Sequence, residues 1–250
     1  VTPLADQGFI VFDRDPATLR WAEAAHRVAV ERAARPDVQA QNLRHGDTWF
    51  VGVDALPNDP DGAIDDVPLR GLWQGYVTAP PQWHRAQLSI VYPEYPRQDA
   101  GESAANHAFR IRRYAAHVDG LLPVGADRRR YMQEAHGFIL GLALNHATAA
   151  PLMVWPRSHH VMGAAFRTRI GTGDPRRCDL TDVYHSARRR VFDSITPVAV
   201  VIEPGQAVLL HRHLLHGVRP WAATDSAPPE GRMIAYFRPE VSDTAWVSPP

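Results

Sequence analysis

The chain has 250 residues, no formal net charge at pH 7, 45% hydrophobic residues and 22% charged residues. This suits one large globular domain over 1–250; it lacks the basic excess of a nucleic-acid binder, and no apolar run is long enough to suggest a membrane span. The one cysteine, Cys178, excludes an internal disulfide, and with no Lys among the 27 basic residues there is no Schiff-base or P-loop lysine.

The opening residues 1–6 lack the basic-then-apolar form of a secretion signal. With the single thiol, this sets the expectation of a cytoplasmic protein. Gly8 to Phe12 reads as a short strand between turn residues. Asp15-Pro16 supplies an N-cap with Pro at the first helical position, predicting a helix from Ala17 to about Ala34. Its apolar stripe runs through Leu19, Ala22, His26, Val30 and Ala33, and Pro36 stops it. Thr48–Val53 and Gln87–Tyr92 read as strands, with a turn-rich loop around Asn58–Gly62 between them. Trp73, Trp83 and Tyr92 either line an apolar pocket or pack in the core. Gln98 to Asn106 is polar and reads as a loop.

Strand signals then dominate. Gly137–Leu144, Pro151–Trp155, Pro197–Ile202, Gln206–His211 and Arg232–Phe237 are short apolar runs bounded by Gly and Pro. Thr168 to Arg190 is Arg-rich and reads as an insertion or a loop with a short helix. Thr224 to Gly231 is a Pro-rich loop. Many short strands behind one long N-terminal helix predict a mainly β fold, a sandwich or barrel with helical support.

The chemistry lies among thirteen histidines. His-x-Asp occurs twice, at His45-Gly46-Asp47 and at His117-Val118-Asp119. On an extended segment its two side chains share a face. The first copy reads as a polar turn. The second precedes the strand-rich region, and His216 follows at a distance that lets a later strand return to it. Two imidazoles and one carboxylate with an open opposite face suit non-heme Fe(II). His211-Arg212-His213 is a competing pair on one strand face, and His213 with His216 would share a helix face. Neither brings its own carboxylate.

Several stretches together resemble the phytanoyl-CoA dioxygenase family of Fe(II)/2-oxoglutarate oxygenases. They are Gly8-Phe9-Ile10-Val11, His117-Val118-Asp119-Gly120, Leu152 to His159, Gly205 to Gly217, and Arg232 to Tyr236. The resemblance implies a double-stranded β-helix (jelly-roll or cupin-like) core supported by N-terminal helices. It implies Fe(II) held by His117, Asp119 and His216, with 2-oxoglutarate and O2 as cosubstrates. It also implies an arginine that grips the distal carboxylate of 2-oxoglutarate: Arg232, with Arg238 and Arg219 as second and third choices. The reaction it implies is hydroxylation of a small-molecule C–H bond with release of succinate and CO2. The sequence departs from the pattern at Arg157, where the family usually has Gly, and at Gln206, where Asp is common. Two alternatives share the fold: a cupin-like metal enzyme that does not use 2-oxoglutarate, and a catalytically silent β-barrel binding protein. The Arg112-Arg113, Arg128-Arg129-Arg130 and Arg188-Arg189-Arg190 clusters either meet an anionic substrate or lie solvated.

Overall fold

The run Arg232–Phe237 is buried at every position and divides its side chains between two apolar environments. Met233, Ala235 and Phe237 enter one core, while Ile234 and Tyr236 enter another. A strand that is apolar on both faces must lie inside a layered structure, because each face needs its own cover. The computed structural model describes residues 2–248, and this strand lies in the middle of its larger sheet.

In chain order, helix α1 (Pro3–Gln7) leads to strand β1 (Phe9–Phe12), α2 (Pro16–Ala33), α3 (Pro36–Asn42), β2 (Leu43–Arg44), β3 (Trp49–Gly52) and β4 (Gln87–Val91). Then come α4 (Ala104–Arg113), β5 (Leu121–Val124), β6 (Arg129–Met132), β7 (Phe138–Ala143), β8 (Leu152–Val154), α5 (Ser158–Ile170) and α6 (Thr181–Ser194). The chain finishes with β9 (Val198–Val200), β10 (Ala207–His211), β11 (His216–Val218), β12 (Arg232–Phe237) and α7 (Asp243–Val247).

Seven strands form an antiparallel sheet in the order β1-β10-β7-β12-β4-β3-β2. Three form a smaller sheet, β11-β8-β9, which an antiparallel bridge between His117 and His216 extends by one more segment. From β4 onward the chain alternates between the sheets: β4 in the large one, residues 117–119 in the small one, then β7, β8 and β9, β10, β11 and β12. That order is a double-stranded β-helix, as expected. Ile139, Leu152, Val154, Val208, Leu210 and Ile234 pack between its two faces. Helices take 32% of the chain and strands 22%, so "mainly β" describes this core and not the residue count.

Helix α2 covers the outer face of the large sheet. Asp15 caps it, accepting from the Ala17 and Thr18 amides at 2.9 and 3.0 Å. Its buried stripe runs through Trp21, Ala22, Ala25, Ala29 and Ala33. This corrects the expected stripe, since Val30 is exposed. Trp21 decides the rotation: its ring meets Phe237 of β12 at 5.6 Å, and small alanines on either side let the helix approach closely.

Two loop expectations are also corrected. Residues from Ala104 are helical in α4, with Ser103 Oγ accepting from the Asn106 amide. The Arg-rich stretch is not an irregular insertion. It contains the end of α5 and most of α6, whose buried Thr181, Tyr184, Ala187 and Val191 repeat at helical spacing. Arginine is a good helix former, and its charge hid a narrow apolar stripe. These helices enclose a further core outside the small sheet, around Trp155, Met162, Phe166, Tyr184 and Trp246. Arg157, just before α5, has φ +66°, the left-handed conformation that glycine adopts most readily.

Candidate metal centre

His117 and His216 are placed by backbone pairing. The His117 amide donates to the His216 carbonyl at 2.9 Å, and the His216 amide donates back to the His117 carbonyl at 3.1 Å. Opposed in this way, the two rings lie 4.7 Å apart. Glycines permit the close approach. A Cβ at Gly217 would fall 2.1 Å from the Tyr114 carbonyl oxygen, and one at Gly120, with φ +80°, would fall 2.1 Å from the Glu134 carbonyl oxygen. Gly120 turns the chain from the small sheet into β5.

The rings are also oriented. His117 Nδ1 donates to the Ala115 carbonyl at 2.9 Å, and His216 Nδ1 donates to the Leu214 carbonyl at 3.0 Å. A carbonyl only accepts, so both Nδ1 atoms carry their protons and each neutral ring presents an Nε2 lone pair. Both lone pairs face the same oxygen, Asp119 Oδ1, at 3.0 Å from His117 and 3.6 Å from His216. The three ligand atoms lie within 4.8 Å of one another. Lone pairs converging on a carboxylate oxygen need a cation among them, either a proton or a metal ion. Burial opposes charge on His117, but its hydrogen bond to Asp119 and the attraction of that carboxylate win, and its pKa is raised. The donor set therefore fits a divalent metal ion.

Asp119 uses its other oxygen elsewhere. Arg238 Nε donates to Oδ2 at 2.5 Å, and Arg238 Nη1 donates to Gln87 Oε1 at 2.8 Å. Burial works against the carboxylate charge, but the Arg238 guanidinium beside it outweighs that cost and holds the Asp119 pKa well below the usual range. Sequence reasoning named Arg238 only as a possible cosubstrate ligand and missed this contact.

Arg232 is on the same face of β12, six residues earlier, so about 20 Å of strand separates the two arginines. It is 5% exposed, and its Nη1 is sealed from solvent without a hydrogen-bond partner. Among the described residues it has no ion pair, whereas Arg219 is paired with Asp225 and Arg238 with Asp119. Its strand neighbour is Val91, which in turn faces Trp49.

A cavity of about 980 Å³ opens over the three ligands. Its lining includes the buried Ser89, Ile139, Leu152, Leu210 and Tyr236 together with Trp49, Tyr114, Arg130, Tyr184 and Arg238. Arg232 does not line it; Val91 stands between it and Trp49 in the sheet. Trp73 and Trp83 are in the core behind the large sheet, and Tyr92 packs against that core, so of the two readings the packing one holds.

The other histidine sets do not join this site. His45 Nδ1 meets Asp99 at 3.0 Å and its ring stacks on Trp49, in a turn where His45, Gly46 and Asp47 all have positive φ. His213 is enclosed by Phe166 and Trp246, with ring distances of 5.4 and 4.5 Å. His211 Nδ1 accepts the His213 amide at 3.1 Å.

No family model matches the sequence, and no curated protein matches it. Solved structures similar to it include the non-heme alpha-ketoglutarate-dependent carbocyclase SnoK from nogalamycin biosynthesis, at 16% identity over 99% of this chain and 89% of that one, with a TM-score of 0.49. EctD from S. alaskensis with bound Fe is 16% identical over 94% of this chain and 73% of that one, with a TM-score of 0.43. AviO1 from Streptomyces viridochromogenes Tue57 is 13% identical over 95% and 92%, with a TM-score of 0.41. Likenesses of this strength specify no reaction, and the chemistry rests on this chain's own residues.

Proposed function

We propose that the chain is an Fe(II)- and 2-oxoglutarate-dependent oxygenase that hydroxylates a C–H bond of a small molecule. The observation that carries the reading is the convergence of His117 Nε2, His216 Nε2 and Asp119 Oδ1 at a cavity wall. Two imidazoles and one carboxylate on one side of a metal leave the opposite positions open, the pattern of non-heme Fe(II) oxygenases. Bound there, iron with 2-oxoglutarate and O2 supplies the oxidation, with succinate and CO2 as by-products.

The protein's residues do the rest. His117 and His216 present neutral Nε2 atoms because backbone carbonyls hold their Nδ1 protons. Arg238 engages Asp119 Oδ2, which leaves Oδ1 as the oxygen that would hold the metal. Arg232 pairs with the distal carboxylate of 2-oxoglutarate. An uncompensated buried guanidinium is costly, and a carboxylate satisfies it through two parallel hydrogen bonds. Trp49 and Ser89, joined by a 3.0 Å hydrogen bond from the indole, line the cavity on the two strands next to β12. The apolar depth around Ile139, Leu152 and Leu210 excludes water from the reacting carbon.

The test is anaerobic addition of Fe(II) and 2-oxoglutarate to the purified chain. A weak visible charge-transfer band should appear and be lost in His117→Ala and Asp119→Ala. No band, and no succinate on admitting air, would overturn the reading. Metal binding with turnover that needs no 2-oxoglutarate would favour the cupin-like alternative.

A further inference from the structure

The stretch that carries His117 and Asp119 is gripped at both ends by guanidinium groups with charge to spare. Arg188, on α6, donates Nη1 to the Ala116 carbonyl and to the Tyr184 hydroxyl, both at 3.3 Å. Its guanidinium lies over the rings of Phe109 and Tyr184, at 4.6 and 4.9 Å. Arg130, on β6, donates Nη1 to the Leu121 carbonyl at 2.9 Å. Among the described residues neither has a carboxylate within ion-pair distance. The nearby acids are committed elsewhere: Asp179 and Asp182 to Arg129, Glu134 to His136 and Glu102 to Arg110.

Arg130 and Tyr184 line the same cavity as the three ligands. Arg130 is half-buried; burial lowers its pKa, Tyr184 opposes this, and the positive charges of Arg128 and Arg188 add to the lowering. A cation in that position is held under tension that an anion would relieve. Its Nε and Nη2 remain as donors in the fork geometry that matches a carboxylate or a phosphate. The stacked aromatic faces keep Arg188 in place, so a second positive charge stands behind the first.

We propose that Arg130, Arg188 and Tyr184 form a subsite for an anionic group, a carboxylate or a phosphate, on the molecule to be oxidised. The anion docks on the Arg130 fork, and the carbon to be oxidised then lies toward His117 and Asp119. This rests on the oxygenase reading for calling the molecule a substrate; the anion site itself does not.

The experiment titrates benzoate, phenyl phosphate and phenol into the metal-free full chain by calorimetry. At least one anion should bind ten or more times tighter than phenol, and the tighter anion tells carboxylate from phosphate. Arg130→Gln should weaken that binding at least tenfold, Arg130→Lys should restore part of it, and Arg232→Met should leave it unchanged. Equal binding of phenol, or undiminished anion binding in Arg130→Gln, would overturn the subsite. So would loss of binding only in Arg232→Met, which would place the anion at the cosubstrate position. No metal is needed, so a failed iron titration would count against the oxygenase reading and leave this result standing.

Discussion

Arg232→Met separates the cost of a buried cation from its use. In the free chain the substitution removes a guanidinium that is 5% exposed and, among the described residues, has no carboxylate partner. Met is a flexible apolar side chain able to fill the space left behind. Replacing buried charge by apolar groups is commonly neutral to stabilising by about 1–4 kcal/mol. For a chain of this size, each kcal/mol moves Tm by roughly 2–4 °C, so the unliganded variant should melt a few degrees higher than the parent. Cosubstrate binding should move the opposite way. Two charge-assisted hydrogen bonds at about 1.5–3 kcal/mol each are lost, which weakens 2-oxoglutarate by on the order of 10²-fold or more. The assay is thermal unfolding with Mn(II) in place of Fe(II), to prevent turnover, with and without 2-oxoglutarate. The parent should gain about 2.7 kcal/mol at a ligand concentration 100 times its Kd, and the variant should gain almost nothing. A variant that melts lower when free, or that keeps its 2-oxoglutarate shift, would refute the assignment and move the role to Arg238.

Three further outcomes are expected. Arg238→Met removes the donor to Asp119 Oδ2, frees that carboxylate to rotate and raises its pKa; Co(II) affinity should fall about 10–100-fold. An unchanged or tighter Co(II) Kd would show that the repulsive charge of Arg238 outweighs its orienting contact. Gly217→Ala drives a Cβ into backbone atoms of Tyr114, which cannot step aside as a side-chain tip can, so it should part the 117 and 216 segments. It should cost about 1–3 kcal/mol in urea unfolding and abolish Co(II) binding; retention of both would refute the close-approach argument. His159 and His211 are kept neutral chiefly by burial, with pKa values lowered to about 4 and about 2. Below about pH 6.5 the unfolded chain takes up protons at these positions that the folded chain refuses. Stability is therefore complete above that pH and falls by up to about 1.4 kcal/mol per unit for each ring. The loss runs to about pH 4 for His159 and continues to about pH 2 for His211. Urea midpoints that match at pH 7.5 and 5.5 would refute it.

Much of the fold was legible because strands and turns leave local marks. The apolar runs at Phe138–Ala143, Ala207–His211 and Arg232–Phe237 are strands, and α2 begins at its Asp-Pro signal. Helices α4 and α6 were harder to read, because arginines interrupt their narrow apolar stripes. Hydrophobicity alone ranks Val30 above the alanines that sit against the sheet, so it does not give the rotation of α2.

Within the site, the local chemistry was written in the chain: His-x-Asp followed by Gly, a second His followed by Gly, and an Arg-led strand. What the chain alone left open was which of these meet. His45-Gly46-Asp47 and His117-Val118-Asp119 have the same pattern, yet one is a turn holding Asp99 and the other faces His216. Arg232, Arg238 and Arg219 are alike in the sequence but differ in burial and pairing: one is buried with no ion pair among the described residues, one lies on Asp119 and one on Asp225. Period-two alternation tells a side chain which face to take, and local sequence suffices for that. Which strand lies alongside is decided by the order of strands in the two sheets, a property of the whole core, and only there does the metal-ligand geometry come into being.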